Sequence, residues 1–141
     1  MGLLNRYEKI RMDKDAIPKA ESRNRSGGKK RMNRTIRVSA AGDILIMKRL
    51  LPGYQDVLPI REFLMQGEVR MANLETTISD GSCYASAYSG GTWLTADAKC
   101  LEDTLRYGFN FLGISNNHTM DYSYEGLAST ISELKKKDVA Y

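Results

Sequence analysis

No stretch of this 141-residue chain approaches the ~20 consecutive apolar residues that cross a bilayer, so no membrane span is expected. The basic start is not followed by an apolar run, so no secretory signal is read there, and the default expectation is a cytoplasmic protein. Cysteine is scarce. Cys83 and Cys100 stand at unrelated positions and fit neither a disulfide framework nor a zinc cluster. Two readings remain for them: free thiols in a reducing compartment, or a single bridge in an exported protein. Histidine is scarcer still, with His118 alone, and no internal repeat is evident.

What charge there is lies unevenly. Residues 1–34 hold eleven Lys/Arg against four Asp/Glu, a net +7, while residues 35–141 hold ten against thirteen, a net −3. The overall +4 therefore belongs to the tail, and pI alone would wrongly suggest a nucleic-acid-binding domain. Residues 1–34 are expected to be a basic, disordered arm, because they carry too few apolar groups to offset the entropy of ordering. The arm is either a solvated tail or a contact for an acidic surface or polymer. Tyr7 is its only aromatic residue, so stacking on bases, and with it specific nucleic-acid binding, is not expected.

Order is predicted from Thr35. Residues 35–41 read as a strand that ends in a Gly42-Asp43 turn. Asp56 is placed as the cap of a helix with Pro59 in its first turn, an apolar face of Leu58, Phe63 and Leu64, and Gly67 as its stop. Val69 to Leu74 read as a second strand, ending near Glu75. Residues 79–92, rich in Ser, Gly, Tyr and Ala, read as a loop long enough to cover a site. Thr95 or Asp97 opens the next helix, with Ala98, Leu101 and Leu105 at helical spacing and Gly108 closing it. Phe109 to Ile114 read as a buried strand. Ser123 is placed as the cap of a last helix with Leu127, Ile131 and Leu134 inward, and its Lys135-Lys136-Lys137 end suits the helix dipole. Val139-Ala140-Tyr141 resemble the start of a fourth strand. This alternation predicts an α/β fold, a layered sandwich of mostly parallel strands with flanking helices.

In such sheets, ligands gather outside the carboxyl ends of the strands. Asp43 follows the first strand, Asn73-Leu74-Glu75 end the second, and Asn116-Asn117-His118 with Asp121 follow the third. The set suits a hard or borderline divalent cation: anionic oxygens from Asp43 and Glu75, an amide oxygen from Asn117, and a ligand nitrogen or proton carrier in His118. Such a cation lowers the pKa of bound water and polarises a phosphoryl oxygen, while His118 can protonate a leaving oxygen and Asp121 can orient it. Plainer roles stand beside these. Asp43 can be a turn residue or cap, Glu75 a solvated charge, Asn116 and Asn117 turn formers, His118 a surface histidine and Asp121 a cap for the last helix.

Gly42-Asp43, Asn73-Leu74-Glu75-Thr76-Thr77 and Ser115-Asn116-Asn117-His118-x-x-Asp121 resemble the N-terminal motifs of the CapA family of capsule and poly-γ-glutamate synthesis proteins, with the fold of calcineurin-like metallophosphoesterases. Glu125-Gly126-Leu127, Thr130 and Leu134 continue the likeness, as does the stretch from Trp93 to Phe109, so that it spans about residues 36–141. The resemblance implies that Asp43 is the first acidic metal ligand, Glu75 the bridging carboxylate and Asn117 the amide ligand. His118 then meets the phosphoryl group. It further implies a divalent metal (Mn, Mg, Fe or Zn), an anionic polymer or phosphoester substrate, contact with capsule-synthesis machinery and association with the cell envelope. Two departures from the wider metallophosphoesterase pattern matter, the first of them shared by CapA-like members. Leu45 stands where many metallophosphoesterases carry the histidine of Asp-x-His, and no histidine follows His118, although the family's second half supplies several. Residues 35–141 are accordingly expected to be the N-terminal portion of a longer domain. The resemblance leaves a second reading open: a non-catalytic binding or assembly protein with a vestigial metal site.

Overall fold

Strand β2, Val69–Leu74, is the central strand of a three-stranded sheet. Its alternation buries Ala72 and Leu74 on one side and leaves Asn73 and Glu75 together on the other. The computed structural model describes residues 35–141; the basic arm expected over 1–34 lies outside the described residues. Strand β1, Val38–Ile44, and strand β5, Phe111–Gly113, flank β2 in parallel, giving the order β1-β2-β5. Ala140 bridges to Phe111 in the same sense, so the expected fourth strand amounts to one parallel bridge. A second, two-stranded parallel sheet pairs β3, Thr77–Ile78, with β4, Thr95–Ala96. The helices are α1, Val57–Leu64, α2, Ala98–Leu105, and α3, Ser123–Lys136. The architecture is the layered α/β arrangement read from the alternation of elements.

One core binds the layers. Leu64, Ile78, Leu101, Leu112 and Leu134 are essentially inaccessible and meet Ile44, Leu74, Cys100 and Phe109. Burial of such side chains at about 25 cal/mol per Å² is the main favourable term. Both cysteines are free, and burial pushes the Cys100 thiol above its ordinary pKa. Gly67 is buried where α1 turns into β2: a Cβ there would lie 2.5 Å from Ser39 Oγ. Only a glycine permits that approach.

Four local expectations change. The strand predicted to stop before Gly42-Asp43 runs through it, because a bulge between Ala40 and Asp43 inserts an extra residue and lets pairing resume at Asp43. In α1 the inner residues are Val57 and Leu64, two turns apart, whereas Leu58 and Phe63 fall off that stripe and are more than half exposed. Asp56 precedes α1 without a side-chain capping bond, while Asp97 does cap α2 through Lys99 N at 2.7 Å. Ser123 is not a cap but the first residue of α3, at φ 57°; Gly126, Thr130 and Leu134 are its buried positions.

The segment between β1 and α1 is clipped down by one buried carboxylate. Asp103 of α2 accepts from Arg49 Nε at 2.6 Å and from Leu50 N at 2.9 Å, and Arg106 lies 3.6 Å away. The hydrogen bond from Arg49 holds the Asp103 carboxyl below the usual carboxylate range, against the opposing effect of burial.

Candidate functional site

Register brings the strand ends together. Asp43 lies opposite Asn73, which lies opposite Gly113, so the carboxyl ends of β1, β2 and β5 are level. Asn73 Nδ2 donates to Asp43 Oδ1 at 2.9 Å and to Glu75 Oε1 at 3.2 Å. The two carboxylates thus converge on a single amide nitrogen. Asp43 is exposed and Glu75 half-buried, and neither pairs with a Lys or Arg among the described residues.

The orientation of that amide is set by groups that admit no ambiguity. The backbone N–H of His118 donates to Asn116 Oδ1 at 2.9 Å, so Asn116 must turn its Nδ2 the other way. There Nδ2 donates to Leu74 O and to Asn73 Oδ1, each at 2.9 Å. With its oxygen so engaged, Asn73 has only its NH2 left to face Asp43 and Glu75. A relay of two amides therefore runs from the His118 backbone to the carboxylate pair and ties three strand ends into one unit. Thr119 closes the turn, accepting from Asn116 N at 2.9 Å and donating to Ile114 O.

Asp121 is the second hub. It is 1% exposed, and its oxygens accept from Leu94 N at 2.8 Å and Gly90 N at 3.1 Å. A third contact, 2.8 Å, runs to His118 Nδ1. With both oxygens already accepting from backbone N–H groups, the histidine is the donor in that contact, which leaves Nε2 as the free ring nitrogen. The loop over 79–92 is thereby held to the turn that carries His118. Ser86 N adds a bond to Asp121 O at 2.8 Å, and Trp93 Nε1 donates to Ser86 O at 2.9 Å. Gly90 sits so close to Asn117 that a Cβ would lie 2.5 Å from its Nδ2.

Of the residues singled out in the sequence, Asp43 and Glu75 share one donor, and His118 and Asp121 form a buried pair. Asn117 stands apart from the amide relay: its Nδ2 donates to Gly90 O at 3.1 Å, leaving its oxygen without a partner among the described residues. Asn116, read as a turn former, is the amide that joins the strand ends. Asn73, part of the quoted motif but given no role, is the other. Their signal in the sequence was the presence of amides at strand ends; their partners were not legible there.

Among the described residues no group of three or more His, Cys, Asp and Glu side chains is placed to hold a metal. The donors that do converge are oxygens. Two carboxylates without a cationic neighbour suit a hard divalent cation whose shell is completed by water or substrate, and they do not make a closed zinc site. The described residues thus supply two acidic oxygen donors and no third His, Cys, Asp or Glu beside them.

A parallel sheet with carboxylates, amides and a histidine gathered at the carboxyl ends of its strands defines a layered α/β protein with a polar strand-end site. The comparison with known families makes the class particular. The family model of the bacterial capsule synthesis protein PGA_cap matches residues 29–141, and the chain belongs to that family. Two relatives in Sinorhizobium fredii (strain NBRC 101917 / NGR234), the uncharacterized proteins y4sH and y4uA, are each 28% identical to it over 109 residues. Each match covers 72% of this chain and 23% of the relative, so the chain spans about a quarter of the length of these curated relatives. No helix among the described residues is long and apolar enough to cross a membrane.

Proposed function

We propose that this chain contributes the carboxylate-and-histidine portion of a divalent-metal, phosphoesterase-type site to a capsule or poly-γ-glutamate synthesis protein. The observation that carries the reading is the convergence of Asp43 and Glu75, unpaired with Lys or Arg among the described residues, on the Asn73 amide. Asp43 and Glu75 would hold the cation, with the free oxygen of Asn117 as the amide ligand that the family likeness assigns. When bound, the cation would supply polarisation of a phosphoryl oxygen and a more acidic water. Asn73 and Asn116 keep the carboxylates at a fixed separation from the His118 turn. Asp121 holds the Nδ1 proton and so presents Nε2 as the nitrogen that exchanges a proton with a phosphoester oxygen. The loop over 79–92, tied to Asp121 and Asn117, borders the histidine side of the site. The substrate class is an anionic polymer or phosphoester, and the partners are other components of capsule synthesis at the cell envelope.

The lack of a third His, Cys, Asp or Glu beside the pair, among the described residues, favours a second reading, a binding or assembly protein with a vestigial metal site. Calorimetric titration of the chain with Mn²⁺, beside its circular-dichroism spectrum and an assay on a generic phosphate ester, separates the two. The first reading expects one cation per chain and loss of binding in Asp43→Ala. A folded chain that takes up no cation supports the second.

A further inference from the structure

Every buried hydroxyl around the site is accounted for except one. Thr76 Oγ1 donates to Ile44 O at 3.5 Å, Thr119 Oγ1 to Ile114 O and Thr130 Oγ1 to Gly126 O at 2.9 Å. Thr77, only 3% exposed, has its Oγ1 buried with no partner at all, the single such side-chain atom among the described residues. An orphaned buried hydroxyl costs free energy and is rare in native proteins. Thr77 lines a cavity the size of one water molecule, whose apolar wall of Leu74, Ile114 and Leu127 is broken by Thr76, Thr119, Thr130 and His118. A space of that size with several hydroxyl groups in its wall can hold one buried water.

We propose that Thr77 anchors a single internal water in this cavity, against the His118 ring, and is thereby a positioning residue for that histidine. The water accepts the Thr77 proton and donates to the remaining lone pairs of Thr119 and Thr130, whose own protons are committed. It joins the β2–β3 corner, two residues beyond Glu75, to the His118 turn from the core side, opposite the amide relay. The inference stands on the orphaned hydroxyl and the cavity, whether or not a cation binds.

The test uses the full 141-residue chain, in which His118 is the only histidine and its ring signals need no assignment. Water–protein cross-relaxation in solution is expected to show a long-lived water near the Thr77 and His118 ring protons. Thr77→Val is expected to abolish those cross-peaks, move the His118 ring resonances at fixed pH, and lower Tm by about 4–8 °C. If the hydroxyl faced an empty space instead, the same isosteric change would remove a desolvation cost and raise Tm. Thr77→Ser, which keeps the hydroxyl, is expected to retain the cross-peaks, and it decides the matter should the valine variant not fold. Absence of the cross-peaks in the unmodified chain, or a raised Tm with unmoved His118 signals in Thr77→Val, overturns the proposal.

Discussion

Two buried aspartates in this protein answer the same problem in opposite ways. Asp103, 2% exposed, is neutralised by Arg49 and Arg106. Asp121, 1% exposed, has no Lys or Arg partner among the described residues and is held by two backbone N–H groups and a histidine. A carboxylate paired with guanidinium groups is a clip: its charge is cancelled and nothing further is asked of it. A carboxylate held by amides and imidazole fixes the protonated nitrogen of that ring and keeps its geometry tied to a loop. The contrast separates a fastening from a part of the site, although in the sequence both are an Asp near a helix.

The largest effect is expected at Asp121. Asp121→Ala strands the buried Leu94 N–H, releases the loop at Gly90 and frees the His118 ring, and should cost about 3–5 kcal/mol in denaturant unfolding. It should also increase protease sensitivity over residues 79–92. Asn116→Asp comes next. The new side chain still accepts from His118 N, but it cannot donate to Leu74 O or Asn73, so about 1–3 kcal/mol should be lost and any Mn²⁺ affinity should fall about 10–100-fold. Asp103→Asn should cost about 1–2 kcal/mol, since Arg49 is half exposed and can turn to water. Its signature is in pH. The folded pKa of Asp103 is depressed, so its contribution is complete above the unfolded value of about 3.9 and is lost as pH falls through the folded value. The Asn variant should lack that part of the acid transition while leaving the His118 ring signals unmoved. If Asp103→Asn disturbed those signals as much as Asp121→Ala, the distinction between clip and site would collapse.

Much of the fold was legible because the relevant signals are local. β2 was bounded at Val69 and Leu74 by its alternation, the loop over 79–92 by its composition, and the end of α2 by Gly108, at φ 96°. The misreadings have physical causes. The β1 bulge hid the continuation of the strand, since Gly42-Asp43 in isolation favours a turn. In α1 the sequence offers more apolar residues than one stripe can bury, so Leu58 and Phe63 were placed inward. The strands β3 and β4, two residues each, are too short to leave a pattern. At the site, the chemical types were readable and the wiring was not. Asn116 and Asn117 are identical side chains one position apart, and only the register of three strands decides that the first joins the carboxylates and the second faces the loop.

Manganese is paramagnetic, and its broadening of nearby proton signals falls off steeply with distance, so the lone histidine can report where the ion sits. Substoichiometric Mn²⁺ added to the folded chain is predicted to broaden the His118 ring signals selectively and to leave them sharp in the Asp43→Ala, Glu75→Ala double variant. Equal broadening in both proteins, or none in either, would contradict a cation site built on the converged ends of β1 and β2.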